Sequence, residues 1–357
     1  MSLSAEKRCS IKDVAKLAGV SISTVSNVLN GTKPVSRTLT KRVQKAVKDL
    51  NYATNPVGRQ LRTGRSRQIA FLLPCLTSAF FPQVLKSVQS AADAAGYTVS
   101  VFATKGELAQ ERRIINMLRG QGYEGVFLDS CADVDQPETA EYLDFLHAIN
   151  FAQDPMHIIC VETAISPKLD AVVINDAEEM AKATEYLIQK GRRHFVHIAA
   201  PTQYMHAKNR KKGFLTALML SGIPVDPSMV IEGNFTCRSG YDAMAKFLSS
   251  GREIDTVVAG NDQMAVGALC CLQEHGRRVP EDVMIVGFND NISASLISPS
   301  LTTIHIPKSE MGICAFEMFQ QRAAKDDSPR KVIQLSGELV VRNSTDPDLN
   351  CPWNLDW

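Results

Sequence analysis

The chain has 357 residues, 45% hydrophobic and 22% charged, with a formal net charge of +1. That length and balance suit two or three folded domains with sizeable cores and exclude a disordered, collagenous or membrane-embedded chain. The near-neutral total hides a basic head on an acidic body: residues 1–67 carry 14 Lys and Arg against 3 Asp and Glu, net +11, and residues 68–357 carry 25 against 35, net −10.

Such a head suits a phosphate-binding module. Within it, Ile11, Val14, Ala15, Leu17 and Ala18 recur at helical spacing and predict a first helix with one apolar stripe. Gly19 supplies the positive φ that a tight turn between two helices needs. Val20 follows as a core plug, and Ser21 as the cap of a second helix whose apolar side is Ile22, Val25, Val28 and Leu29. Its other side, Ser23, Thr24, Ser26 and Asn27, is short and polar, suited to base edges and phosphates in a major groove. On spacing alone the segment reads equally as a helical hairpin with a solvated face. Thr38 is expected to cap a third helix, Leu39 to Leu50, with Lys41, Arg42, Lys45 and Lys48 outward and Val43, Ala46, Val47 and Leu50 inward. That completes a basic three-helix unit and favours the DNA-reading alternative.

The run from Ser10 to Ser21, followed by Ser23-Thr24-Val25-Ser26 and Val28-Leu29-Asn30-Gly31, resembles the signature of the lactose-repressor and galactose-repressor family of bacterial transcription regulators. The likeness continues through Asn51-Tyr52 and Asn55-Pro56 and, by further motifs, to about Ser344. It implies an all-α helix-turn-helix headpiece at 1–54, a hinge at 55–67, and an α/β two-lobed, periplasmic-binding-protein-like domain at 68–344 with two parallel sheets for effector binding and dimerisation. A tail at 345–357 follows. The resemblance places Ile22, Ser23 and Asn27 where family members discriminate operators. It makes Leu61, beside Arg59, the match to a leucine that paired hinge helices push into the minor groove, where an apolar wedge kinks the duplex. Gly58 stands where the family usually has alanine, which costs a helix about 1 kcal/mol.

From Gln68 onward, short β-branched runs alternate with amphipathic helices, the pattern of parallel sheets. Strands are predicted at Ile69 to Leu73, Thr98 to Ala103, Gly125 to Asp129, His157 to Val161, Ala171 to Ile174, Phe195 to Ala199, Met229 to Glu232, Thr256 to Ala259 and Met284 to Gly287. The intervening helices include Pro82 to Ala95, Ala177 to Lys190, Lys208 to Ser221 and Asp262 to His275. The resemblance implies three crossings between lobes, near Val172 to Asn175, Ser300 to Pro307 and Pro329 to Leu335. Lobe 1 is then about 68–173 and 308–329, and lobe 2 about 174–304 and 332–344, with a last strand at Gly337 to Arg342. The tail has no leucine heptad, so a dimer is expected rather than a tetramer.

Ligands of open parallel sheets bind beyond the carboxyl ends of the strands. Phe80 and Phe81 follow the first strand, either as rings against a sugar or base or as core phenylalanines. Glu162 follows the fourth strand where the family commonly has aspartate. Arg210, in Arg210-Lys211-Lys212-Gly213-Phe214, matches an arginine whose planar fork reaches into the cleft. Phe235 matches an aromatic site in the second lobe. Asn261 and Asp262 open a helix, Asp262 being either an effector ligand or only a cap. Asn289 stands where most members have aspartate, so it offers an uncharged amide that both donates and accepts.

His194, His197 and His206 have no metal-binding spacing and read as core or surface residues. Nine cysteines, an odd number without a Cys-x-x-Cys pair, read as reduced, buried, small side chains. No metal or cofactor is expected. The polar start, Met1 to Ser10, and the lack of a membrane-length apolar run predict a cytoplasmic protein. No Gly-x-Ser-x-Gly, phosphate loop or His-Glu-x-x-His occurs, so no enzyme is expected. The expectation is a homodimeric DNA-binding repressor on a near-palindromic operator, controlled by a small sugar-like effector. The alternative is a member controlled mainly by a partner protein. An enzyme or binding protein with a DNA-tethering head is disfavoured.

Overall fold

The computed structural model describes residues 9–30, 33–52 and 65–353, with Asn30 as backbone alone. The chain divides into two compact units, Met1–Ser66 and Arg67–Trp357. Arg59 and Leu61 lie outside the described residues.

The first unit contains helices α1 (Ile11–Ala18), α2 (Ile22–Asn30) and α3 (Arg37–Asp49). The Ser10 amide and hydroxyl both donate to the Asp13 carboxylate, at 2.8 and 2.7 Å, which fixes the first turn of α1. Gly19 ends that helix at φ 61°. A Cβ there would stand 2.5 Å from the guanidinium of Arg42, which donates to the Gly19 carbonyl at 3.3 Å. The Ser21 hydroxyl accepts the Thr24 amide at 3.1 Å and so caps α2. Val14, Ala15, Ala18, Val25, Val43 and Ala46 form the core.

Three local expectations are corrected. The cap of α3 is Ser36, which accepts the Leu39 amide at 3.4 Å, and the helix begins ahead of Thr38. Leu17 and Ile22, assigned to apolar sides, are 54% and 45% exposed. A unit of this size has one small core, and only the parts of each stripe that face another helix reach it.

The second unit holds two six-stranded sheets. In the first lobe, β1 (Gln68–Leu73), β2 (Thr98–Ala103), β3 (Gly125–Leu128), β4 (His157–Glu162) and β5 (Asp170–Ile174) are joined by α4 (Phe81–Ala94), α5 (Leu108–Gly120) and α6 (Pro137–Asn150). In the second lobe, α7 (Asp176–Gln189), β6 (Phe195–Ala199), α8 (Met205–Leu220), β7 (Val230–Glu232), α9 (Cys237–Ser249), β8 (Thr256–Ala259), α10 (Asp262–Glu274), β9 (Met284–Asn289), a short α11 (Ser293–Leu296) and β10 (Thr302–His305) follow. The chain then returns through α12 (Lys308–Ala323) and β11 (Val332–Leu335) to the first lobe, and ends with β12 (Glu338–Val340) in the second. The sheet orders are β11-β5-β4-β3-β1-β2 and β12-β10-β9-β8-β6-β7, all parallel except β12 against β10.

Buried on both faces, β1 sends Ile69, Phe71 and Leu73 into one core and Ala70 and Leu72 into another. The third crossing differs from the expected Pro329 to Leu335. Val332–Leu335 pairs in register with Ala171–Ile174 of β5, so it belongs to the first sheet, and the chain changes lobe at Ser336 and Gly337. Thr302–His305 is likewise a sheet strand within a stretch expected only to connect. Thr302 and Thr303 in one run and Gln334 in the other interrupt the apolar continuity by which the other short strands are read.

The packing of α9 on α10 depends on the absence of a side chain at Gly267, where a Cβ would fall 1.8 Å from the Cys237 carbonyl oxygen. Alanine would gain about 1 kcal/mol of helix propensity, but the backbones would have to part. Gly267→Ala is expected to destabilise the second unit by about 2–3 kcal/mol, read as a lower urea midpoint; an unchanged midpoint would show that the helices can separate freely.

The nine cysteines are free, but Cys75, Cys237 and Cys270 are exposed, against the expectation of burial. Among the described residues, no helix is long and apolar enough to cross a membrane.

Candidate functional site

In the first unit, Ile22 and Ser23 are exposed at the start of α2, and the hydroxyls of Ser21, Ser23 and Thr24 lie within 2.8 Å along hydrogen bonds from Ser21. Thr24, Ser26 and Asn27 are half-buried on the same helix. Lys41, Arg42, Lys45 and Lys48 are exposed along α3. The unit therefore presents small polar groups and one aliphatic side chain at a helix start, together with basic side chains, which suits groove and phosphate contact.

The second unit has a cavity of about 480 Å³ between its lobes, a size typical of small-molecule sites. Phe80, Phe81, Glu162, Arg210, Phe235, Asn261 and Asn289 line it. Phe81 serves the core as well, meeting Phe71 edge-on at 6.2 Å. Asn261 is the cap of α10: its side-chain oxygen accepts the Met264 amide at 2.9 Å, and its amide donates to the Phe235 carbonyl at 3.0 Å. Asp262 is neither cap nor lining. Fully buried, its carboxylate accepts the Thr303 hydroxyl and the Asn291 backbone amide, each at 2.6 Å, and ties α10 to β10 and to the loop after β9. Burial pushes that carboxyl up to about 7. The expected effector contact at Asp262 is thus replaced by a structural one.

Arg210, only 3% exposed, is held from several sides. Its Nε donates to Asp176 at 2.7 Å, Nη1 to the Gly260 carbonyl at 3.0 Å and Nη2 to Glu162 at 3.4 Å. Its guanidinium carbon also lies 4.0 Å from the centre of the Phe288 ring. Asp176, Gly260 and Phe288 belong to the second lobe and Glu162 to the first, so Arg210 spans the cleft. Burial raises the Glu162 carboxyl to about 7, with Arg210 opposing the shift. Burial also raises Asp176, again opposed by Arg210.

Sequence reasoning missed two residues that complete the floor. Asp129, the first residue beyond β3, is 1% exposed, lines the cavity, and has no hydrogen-bond partner on either oxygen among the described residues. Burial, then the neighbouring Glu162, holds its carboxyl well above the usual range. His206, in the first turn of α8, also lines the cavity, with the rings of Tyr204 and Phe235 each 5.5 Å away. Burial and then Arg210 hold its imidazole well below its usual value.

Three residues lining the cavity take left-handed backbone conformations unusual for a residue with a side chain: Glu162 at φ 65°, Phe235 at 69° and Asn289 at 108°. Each costs about 1–3 kcal/mol, and such strain concentrates where side chains are held for a ligand. Between the lobes, the Ala79 amide donates to Gln263 at 3.2 Å. Lys208 of the second lobe meets both Asp133 oxygens at 2.7 Å and Asp135 at 3.0 Å.

Comparison with known proteins puts a family beside this geometry. Residues 10–55 match the profile of bacterial regulatory proteins, lacI family, and residues 184–345 that of a periplasmic binding protein-like domain. The HTH-type transcriptional repressor PurR of Vibrio vulnificus is 35% identical over 334 residues, 94% of this chain and 98% of that protein. The chain belongs to the lacI family of bacterial regulatory proteins. It is a DNA-binding transcriptional regulator and not an enzyme. Another lacI-family repressor, PurR of Photobacterium profundum, is 32% identical over 95% of this chain and 99% of that protein. Among solved structures, the Lac repressor bound to ONPG in the repressed state superposes with a TM-score of 0.84 at 25% identity, covering 95% of this chain and 100% of that one. The transcriptional regulator CelR in complex with cellobiose gives 0.69 at 27% identity over 94% and 100%. The helical first unit and the two-lobed α/β second unit are the architecture these lacI-family members share.

Proposed function

We propose that the chain is a homodimeric repressor that binds a two-fold symmetric operator and is controlled by a small polyhydroxylated, sugar-like molecule in the cleft between the lobes. The observation that carries the ligand class is Asp129, whose two buried oxygens lack donors among the described residues. A buried acceptor left without a partner costs about 1–3 kcal/mol, which a ligand rich in hydroxyl donors would recover. The rings of Phe80, Tyr204 and Phe235 offer apolar faces for a sugar ring, and the cellobiose complex of CelR supports the class. A flat nitrogen heterocycle is the second reading, favoured by those same rings and by Asn289, whose amide oxygen is buried without a partner.

In this reading Ile22, Ser23, Thr24, Ser26 and Asn27 face the operator, Arg59 meets phosphate, and Leu61 wedges the minor groove. The Lac repressor dimer bound to operator and the anti-inducer ONPF supports the dimer and the two-fold site. The ligand alters operator affinity only by as much as it prefers one lobe arrangement over the other.

The test is thermal stability of the full chain against a panel of sugars, nucleobases and nucleosides, followed by operator binding with and without each hit. A sugar that shifts the melting temperature in the wild type but not in Asp129→Asn is the expected result. A shift by nucleobases alone would favour the second reading, and no shift by any compound would remove small-molecule control of this cleft. In the same binding assay, Leu61→Ala should weaken specific binding far more than binding to random duplex.

A further inference from the structure

The cleft floor also gathers a donor set of another kind. Asp129, Glu162 and His206 each present one ligating atom, and the three atoms lie within 4.8 Å of one another. All three side chains are buried, at 1%, 9% and 6% exposure. We propose that these residues form a site for a divalent first-row transition ion, held by two carboxylates of the first lobe and one imidazole of the second. The proposal deepens the ligand-binding reading of the cleft and rests on it.

Four observations lead there. A cluster of acids is common without a metal, but here both Asp129 oxygens are buried, face the cavity and have no partner. Arg210 pairs with Glu162 and Asp176 and leaves Asp129, beside them on the floor, without a cation partner among the described residues. The mixed oxygen and imidazole set suits manganese, cobalt or zinc better than calcium or magnesium, which prefer oxygen alone. Three protein ligands leave coordination positions open toward the cavity, where ligand hydroxyls or water would complete the sphere.

The site joins the lobes. Asp129 follows β3 and Glu162 ends β4, whereas His206 stands on α8. A bound ion would therefore favour the arrangement that brings His206 to the carboxylates, adding metal to the set of molecules that bias the lobes. Sequence spacing could not announce it, because the ligands lie at 129, 162 and 206 and meet only through the fold.

The experiment uses the full-length chain stripped of metal with EDTA and then removed from the chelator. Mn2+ and Co2+ are titrated separately, following calorimetry for both ions and visible absorption for Co2+. The expected result is one ion per protomer, with cobalt ligand-field bands and no sulfur charge transfer, since nine free cysteines are the competing ligands. His206→Gln and Asp129→Asn should each weaken binding by more than the roughly 10–100-fold that loss of an outer-shell partner causes, with far-ultraviolet circular dichroism showing that both variants fold. Absence of binding, a sulfur-to-metal spectrum, or equal affinity in the folded variants would overturn the site. The sugar and nucleoside panel is repeated on the metal-free chain. A thermal shift there without metal binding overturns the ion site and leaves the effector cleft standing.

Discussion

Replacing Arg210 by alanine is expected to destabilise the second unit by about 3–5 kcal/mol, because it leaves the buried carboxylate of Asp176 without its 2.7 Å partner and removes the donor to Glu162. The Gly260 carbonyl and the Phe288 ring lose their contacts as well. A cleft arginine whose only task was to touch ligand would cost far less. The pH dependence separates the two cases. Burial raises the Asp176 carboxyl and Arg210 opposes that shift, so removing Arg210 raises it further. A folded-state value above the unfolded one means that the folded protein binds more protons between the two, and its stability falls as pH rises through that window. The variant should therefore lose least in mildly acidic buffer and most in mildly alkaline buffer. Urea unfolding at fixed protein concentration and two pH values measures both quantities. A loss under about 1 kcal/mol at both, the scale of an exposed ion pair, would show that Arg210 is not the hub the geometry makes it.

The second large effect is expected at Arg322, on the helix that returns to the first lobe. Its guanidinium, 4% exposed, holds Asp170 through Nε at 2.7 Å and Nη2 at 2.9 Å, and reaches the carbonyls of Asp326, Ser328 and Pro329. One side chain thus fixes the start of β5, the end of α12 and the loop toward β11. Burial works against the Asp170 charge, but the hydrogen bonds from Arg322 and the Lys331 amide overcome it, and the carboxyl lies below its usual value. That contribution is fully present above the ordinary carboxylate range and is lost as pH falls through the depressed value. Arg322→Ala is expected to cost about 3–5 kcal/mol at neutral pH. Adding Asp170→Ala should recover part of this, since the second change removes a buried carboxylate left with only Arg330 at 3.4 Å and the Lys331 amide at 3.0 Å. If the double variant is no more stable than the single one, the loss comes from the carbonyls and the packing rather than from that carboxylate.

The head and the alternation of strands and helices were readable because each depends on local periodicity. The apolar stripe of Val14, Ala15 and Ala18, the turn at Gly19 and the cap at Ser21 are choices among near neighbours, whereas the Ser10 and Asp13 cap went unread. The family resemblance reached Arg210, Phe235 and Asn289, and the rule that ligands gather beyond strand ends reached Phe80 and Glu162, all of which line the cavity. That rule passed over Asp129 because that residue was taken as the last of its strand, whereas β3 ends at Leu128. His206 escaped for a related reason. Helix α8 begins at Met205 after Tyr204, which makes no side-chain cap, so no serine, threonine or acid marked the start, and the helix seemed to open at Lys208. Asn261 and Asp262 are adjacent polar residues at one helix start, and only the partners Thr303 and Asn291, some thirty to forty residues away, show which is structural. Sheet order and the placing of β11 beside β5 depend on pairings between distant segments that no local pattern encodes.

The bonds of Lys208 with Asp133 and Asp135, and of Gln263 with Ala79, tie one lobe to the other beside the cleft. Were a molecule to enter only when these ties part, it would be captured no faster than they part, so crowding more of it outside would bring diminishing returns. Dissolved salt weakens a grip between partly exposed charges. The regulator's reaction time to a changing environment would then be set partly by the saltiness of the fluid around it, independently of how tightly the molecule is finally held.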